Sequence, residues 1–269
     1  MARVAFLAHS GLDEAENIAQ RGSSWLSAHG HESLIIRKTA EVDSYVGNVD
    51  LLVSLGGDGT MLRAMEIAYA LQVPVMGVNL GRLGYLTEVD PSSLETAFER
   101  FLGGYYDIEE RMVLKVDIDN KHHIAMNEAV LEKVQPGHTI LVSAYIAEKH
   151  FLTYAADGMV ICSATGSTAY NLSLRGPILS PRLRAMVMTP ISPHMLFDRP
   201  LVLEPDEDVV LRIEGTRSAT FLIDGKEMSS VEPGGELRCR GSSQPVRVVK
   251  LDGTDLRSVL KDKFGLMDR

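Results

Sequence analysis

Apolar positions in the first hundred residues change period repeatedly. Continuous runs at Val4–Ala8, Leu51–Leu55 and Pro74–Val78, and another over Glu32–Arg37 around Leu34, Ile35 and Ile36, have the length of buried strands. Two stretches of helical spacing lie between them. One covers about Asp13–Ala28, with Ile18, Trp25 and Leu26, and meets Gly30 as a stop; the other covers Thr60–Leu71, with Leu62, Met65 and Tyr69 along one face. Ser92 with Glu95 reads as a capping box for a third helix reaching Leu102. Strands alternating with helices in this way predict a parallel, doubly wound α/β sheet.

After Gly103-Gly104 the pattern changes to short extended runs with alternating or β-branched character. Met112–Ile118, Ile140–Ile146, Met159–Cys162, Val209–Ile213 and Thr220–Ile223 are examples. Turn signals separate them at Gln135-Pro136-Gly137, Asp224-Gly225 and Glu232-Pro233-Gly234-Gly235. One short helix is expected, from Thr168 to about Leu174. The pattern predicts an antiparallel, β-rich, sandwich-like second domain. The last stretch departs from it again, with Val246, Val248 and Val249 before a helix near Leu256–Phe264. The expected division is a Rossmann-like α/β domain over residues 1–103, on which residues 245–269 pack back, and a β-rich domain over residues 104–244.

The chain has 269 residues, 45% hydrophobic and 23% charged, which is a globular rather than a disordered composition. A formal net charge of −9 argues against nucleic-acid binding through bulk positive potential. An anionic nucleotide would have to be held by locally arranged amides and basic side chains. The two cysteines, Cys162 and Cys239, are too few for a disulfide scaffold or a cysteine-ligated zinc site. No signal-peptide layout and no span of membrane length is found, so the expected location is cytoplasmic. His122-His123 alternate faces in a strand and have no suitably spaced acidic partner, so no protein-held metal site is expected.

The chemistry concentrates at Gly56-Gly57-Asp58-Gly59-Thr60, between a strand and a helix. Such a turn presents backbone N–H groups to phosphate, and glycines let a ligand approach the backbone closely. The string is neither a Walker A loop nor a G-x-G-x-x-G fingerprint. Its acid is the unusual part. A carboxylate facing phosphate is repelled unless it holds a metal ion or removes a proton. Arg63 lies about one turn into the helix, where a guanidinium could reach phosphate or simply remain solvated. The loop Asn79–Leu86, with Arg82 and Tyr85, follows the fourth strand at its C-terminal end and reads as a lip of the site.

Gly56–Thr60 resembles the Gly-Gly-Asp-Gly-Thr signature shared by NAD kinases, diacylglycerol and sphingosine kinases and 6-phosphofructokinase relatives. Three further segments resemble the NAD kinase family in particular. They are Asn127-Glu128 within Ile124–Val130, Asp157-Gly158 followed by Thr165-Gly166-Ser167-Thr168-Ala169-Tyr170, and Thr189-Pro190-Ile191-Ser192-Pro193-His194 with Arg199-Pro200. The resemblance implies transfer of the γ-phosphoryl of ATP to the 2′-hydroxyl of the adenosine ribose of NAD, giving NADP, with Mg²⁺ accompanying ATP. Asp58 would accept the proton, and Gly56, Gly57, Gly59, Thr60 and Arg63 would meet phosphate. The β-rich domain would bind NAD through Asn127, Glu128, Asp157, Thr165, Gly166, Ser167 and the run Thr168, Ala169, Tyr170, Asn171, Leu172 and Ser173. NAD and ATP would meet at the domain junction of a homodimer or homotetramer, with no nucleic-acid or membrane partner.

Two other readings stand beside it: a lipid or small-molecule kinase of the same superfamily, and a non-catalytic NAD(P)-sensing protein. The chain departs from the family pattern at Ala155, Ala164, Arg175 and Lys226. The family has a basic residue, proline, glycine and glutamine there, respectively.

Overall fold

A computed structural model describes residues 1–36, 48–81, 84–251 and 256–266. The elements run β1 (Arg3–Ala8), α1 (Asp13–Ala28), β2 (Glu32–Ile35), β3 (Leu51–Gly56), α2 (Asp58–Leu71), β4 (Val75–Asn79) and α3 (Leu94–Leu102). Strands then dominate: β5 (Asp107–Ile118), β6 (Lys121–Ala125), β7 (Glu128–Lys133), β8 (Ile140–Ile146), β9 (Lys149–Ala156) and β10 (Gly158–Ser163). A 3₁₀ turn at Thr165–Thr168 and the single-turn α4 (Tyr170–Ser173) precede β11 (Met186–Ile191), β12 (Leu201–Leu203), β13 (Val209–Glu214), β14 (Ala219–Ile223) and β15 (Lys226–Val231). The chain closes with β16 (Glu236–Lys250) and α5 (Leu256–Phe264). It folds as two compact units, Met1–Glu110 with Val246–Arg269, and Arg111–Pro245.

In the first unit β2, β1, β3 and β4 pair in that order, all parallel, and Val248 of β16 pairs parallel with Val75 of β4. Alternate strand residues serve opposite faces. Phe6, Leu51, Val53, Leu55, Met76 and Val78 pack with Ile18, Leu26 and Phe98 from α1 and α3. Burying side chains of this size contributes roughly 1.5–3 kcal/mol each. Gly77 faces the other way, where a Cβ would stand 3.1 Å from Met61 Sδ of α2. A larger side chain at position 77 would push α2 off the sheet.

Three expectations are corrected in detail. The buried residues of α2 are Thr60, Met61, Ala64, Met65, Ile67, Ala68 and Leu71, whereas Leu62 and Tyr69 are only partly buried. There is no capping box before α3: Asp90 caps the preceding turn by accepting from the Ser92 N–H at 2.8 Å, and Ser93 starts the helix without a side-chain cap. The expected run Ile124–Val130 breaks at Met126-Asn127. Arg37, expected to end the second strand, and Arg82 lie outside the described residues.

The second unit contains a six-stranded antiparallel sheet in the order β12-β11-β10-β7-β14-β15. A second set of antiparallel pairings joins the start of β16 to β13, β13 to β8 and β8 to β9. Leu131, Met159, Ile161, Met188 and Phe221 of the first set pack with Val142, Leu211 and Leu237 of the second and with Leu114 of β5, giving a sandwich core. On its other face, the six-stranded sheet packs Val130, Val160 and Val187 against Ala164, Leu179 and Ala185. Both β10 and β11 are therefore buried along their whole length. Sheet strands covered on both faces read as continuous apolar runs rather than alternating ones.

Candidate functional site

Every residue of β3 is buried, and the strand ends at Gly56. Gly57 stays extended (φ −97°, ψ −167°) and its carbonyl accepts the N–H groups of Thr60 and Met61, both at 3.0 Å, which opens α2. The three glycines do different work. A Cβ on Gly56 would overlap Thr60 Oγ1, so Gly56 makes room for a side chain that is itself buried. A Cβ on Gly57 or Gly59 would meet nothing within 4 Å. Among the described residues, neither packing nor backbone strain demands glycine at those two positions. Thr60 Oγ1 has no hydrogen-bond partner among the described residues.

Asp58 is held by the loop after β4. Its Oδ2 accepts the N–H of Tyr85 at 2.9 Å and its Oδ1 that of Leu86 at 3.0 Å. Gly84 allows this approach, since a Cβ there would overlap Asp58 Oδ1 and stand 2.9 Å from Thr87 Oγ1. The C-terminal segment supports the same loop. Lys263 Nζ lies 4.4 Å over the Tyr85 ring, and Glu88 pairs with Lys250 while accepting the Leu251 N–H at 2.9 Å. Burial and the Asp58 charge raise the Tyr85 hydroxyl above its ordinary pKa.

Arg63 lines a cleft of about 420 Å³ with Ala8, His9, Ser10, Asp13, Glu16 and Ile36, among others. The cleft lies beyond the C-terminal end of β1. With strand order β2-β1-β3-β4, the connections diverge between β1 and β3, where open α/β sheets bind ligands. His9 and Ser10 were missed in the sequence because the strand order that marks them is not legible there.

In the second unit, Asn127 lies between β6 and β7, and Glu128 is the first residue of β7. The pair thus occupies a corner, and strict strand alternation does not separate its side chains. Asp224 gathers this corner, accepting the N–H of Met126 at 2.8 Å, of Asn127 at 2.8 Å and of Glu128 at 3.0 Å. Glu128 is buried and its Oε2 has no hydrogen-bond partner among the described residues. Its pKa is pushed up to about 7, first by burial and then by the Asp224 charge, while the Tyr170 backbone N–H opposes the shift. Burial likewise raises Asp224, against the three N–H groups and Lys226, which favour the carboxylate.

The hydroxyl-rich segment divides between packing and open surface. Ser167 Oγ donates to Ala164 O at 2.7 Å and accepts the Leu179 N–H at 3.0 Å. Asn171 is fully buried; its Nδ2 donates to Pro177 O at 3.0 Å and its Oδ1 accepts from Thr189 Oγ1 at 2.7 Å. Both side chains are committed inside the fold. Gly166 lets the backbone of Asn127 come close, because a Cβ would overlap Asn127 O. Thr165 Oγ1 is buried without a partner among the described residues, whereas Thr168, Ala169, Tyr170 and Leu172 are partly exposed and Ser173 is exposed. Burial, followed by the charges of Glu132, Asp157 and Glu128, raises the Tyr170 hydroxyl. Asp157 Oδ1 pairs with Lys133 Nζ at 2.7 Å. Arg175 sits at φ +61°, a backbone conformation that favours glycine.

A parallel α/β unit whose glycine turn carries a clamped acid, followed in the chain by an antiparallel β unit with an Asn-Glu corner, fits the class of nucleotide phosphotransferases with a Gly-Gly-Asp-Gly-Thr turn. The ATP-NAD kinase N-terminal domain matches residues 38–106 and the ATP-NAD kinase C-terminal domain residues 126–251. The NAD kinase of Heliobacterium modesticaldum is 36% identical over 98% of this chain and 99% of its own length. That of Geotalea daltonii is 33% identical over 98% of both. The chain belongs to the NAD kinase family. The fold is also that of the yeast NADH kinase complexed with NADH, with a TM-score of 0.90 at 22% identity, covering 100% of this chain and 89% of that one. An Archaeoglobus fulgidus NAD kinase in complex with ATP gives a TM-score of 0.76 at 23% identity, covering 98% of each chain.

Proposed function

We propose that this chain is an NAD kinase in which Asp58 accepts the proton of the ribose 2′-hydroxyl of NAD as that oxygen attacks the γ-phosphorus of ATP, whose bond to the β–γ bridging oxygen breaks to release ADP. The observation that carries this reading is the clamp on Asp58, whose two carboxylate oxygens are fixed by the Tyr85 and Leu86 N–H groups beside the open space at Gly57 and Gly59. Phosphoryl transfer asks for positioning and charge stabilisation more than for covalent chemistry. A carboxylate fixed by backbone loses no rotamer freedom when the hydroxyl arrives. Gly57 and Gly59 leave room for donor phosphate at the start of α2, with Arg63 as a further cationic contact.

In the second unit, Asn127 and Glu128 bind NAD, the carboxylate accepting from ribose hydroxyls and the free amide of Asn127 reading a ribose or base edge. Thr165, Thr168, Tyr170 and Asp157 border the same surface, while Ser167 and Asn171 hold its shape. Among the described residues, no cluster of three or more His, Cys, Asp or Glu is placed to hold a metal. A Mg²⁺ carried on the nucleotide phosphates would supply charge neutralisation, with Asp58 as the acid of the turn that would face it.

Exposed Leu196 and Val202, with the Phe151–Phe197 ring contact at 5.8 Å, favour a homodimer or homotetramer built on the second unit. Light scattering after gel filtration tests this, and a monomer at all concentrations rejects it. Two buried, unpaired cysteines suit a reducing compartment such as the cytoplasm. No helix among the described residues is long and apolar enough to cross a membrane.

The activity test supplies NAD, ATP and Mg²⁺ and follows NADP with a dehydrogenase specific for it. Asp58→Asn should lower kcat by about 10²–10⁴-fold while NAD still binds. A near-normal rate in that variant removes Asp58 from the role. NAD binding without any turnover by the parent chain favours a sensor.

A further inference from the structure

Asp224 and Gly225 form the two-residue turn between β14 and β15, both at positive φ (+46° and +77°). Hairpin turns of this kind select Asp-Gly for backbone reasons alone. Yet the Asp224 carboxylate reaches out of its own turn to three consecutive N–H groups, those of Met126, Asn127 and Glu128. Its own N–H donates to Glu128 O at 3.0 Å. Ser163 completes the set: its Oγ donates to Met126 O at 2.6 Å and its N–H to Asn127 O at 2.8 Å. Every backbone donor and acceptor of Met126–Glu128 is therefore engaged by one of two residues.

We propose that Asp224 is a positioning residue for NAD, its carboxylate gathering the Met126–Glu128 backbone into the corner from which the Asn127 and Glu128 side chains reach the nucleotide. This rests on the reading that those two side chains contact NAD. Met126 and Asn127 lie between strands with no ladder to fix them, and charge-assisted hydrogen bonds from one carboxylate tie them to the start of β7. The same carboxylate also sets the electrostatics of the corner. The groups acting on Glu128 are Asp224 from the hairpin, Tyr170 from α4 and Cys162 from β10, which is the register partner of Glu128. Of these, Asp224 is the negative neighbour that disfavours a second charge.

Steady-state kinetics on Asp224→Asn and Asp224→Gly, with melting curves, test the role. Both substitutes tolerate positive φ, so the turn survives. Asn keeps an acceptor oxygen for two of the three N–H groups, and Gly keeps none. The expected result is a KM for NAD raised by about 30-fold or more in the glycine variant and less in the asparagine one, with the KM for ATP within about twofold. The inflection in the pH profile of kcat/KM for NAD should also move to lower pH in Asp224→Asn, because the Asp224 charge raises Glu128. An unchanged KM for NAD in both folded variants, or equal rises for both substrates, overturns the proposal. Asn127→Ala and Glu128→Gln, made separately, isolate the reading beneath it. If they leave the KM for NAD unchanged, the corner does not contact NAD. If they raise it while both Asp224 variants do not, only the positioning role falls.

Discussion

The Asp58 carboxylate accepts the backbone N–H of Tyr85 at 2.9 Å, across 27 residues of chain. The acid of the glycine turn is thus aimed by the loop after β4, not by its own helix. That dependence makes the loop a target for tests that leave Asp58 itself intact.

Gly84→Ala should be more damaging than its size suggests, because the added methyl falls on Asp58 Oδ1. Overpacking of this sort costs about 1–3 kcal/mol of stability. It should also lower kcat by about 100-fold, a misplaced catalytic group being costly over fractions of an ångström. Gly81→Ala, where a Cβ meets nothing within 4 Å, is the matched control and should stay within about twofold. Equal rates for the two variants would show that the loop does not aim Asp58.

Gly59→Ala separates fold from ligand. Position 59 is in the first turn of α2 with open space around its Cα, so alanine should raise stability by up to about 1 kcal/mol. If the space is for phosphate, kcat/KM for ATP should nevertheless drop by about tenfold or more. Thermal melts and initial rates on one preparation decide it. A stabilised variant of undiminished rate would empty the proposed donor site.

The pH dependence follows from Glu128. Its pKa, about 7 in the fold, stands above the ordinary 4.5, so the native state binds the proton more tightly than the unfolded chain does. The associated stability is fully present below the unfolded value and is lost as pH rises from there through about 7. NAD binding runs in the opposite direction, because the ionised carboxylate is the better acceptor for ribose hydroxyls. The kcat/KM for NAD should rise with pH to an inflection near the same value, and Glu128→Gln should remove that inflection. A wild-type profile without it would contradict the assignment.

Arg175→Gly should stabilise the chain by about 0.5–1 kcal/mol. Arginine at φ +61° carries the left-handed penalty, and glycine removes it while losing part of the gain to unfolded-state entropy. The neighbouring Gly176 must remain glycine, since a Cβ there would overlap Asn171 Oδ1. Differential scanning calorimetry checks the first change, and a lower melting temperature would refute it.

Local order was highly legible in the sequence. The periodicity over Asp13–Ala28 matches α1 residue for residue, and Ile140–Ile146 matches β8, because each buries an apolar face that its own spacing already encodes. The change of pattern after Gly103-Gly104 reflects the passage from parallel to antiparallel pairing. The glycine turn stood out through its acid, whereas Asn127-Glu128 carried meaning only through the family resemblance.

Which atoms those residues touch was decided by the tertiary structure. The sequence treats Gly56, Gly57 and Gly59 alike, but only the folded chain puts Thr60 beneath the first and leaves the other two open. Ser167 and Asn171 resemble ligand contacts in a hydroxyl-rich string, yet their side chains are spent on Leu179, Pro177 and Thr189. Asp224 reads as a turn residue, and its carboxylate meets a corner 96 to 98 residues earlier in the chain. Spacing along a chain fixes periodicity and local turns, whereas a hydrogen bond between distant segments depends on strand order and register. Those are settled only when the sheets pair.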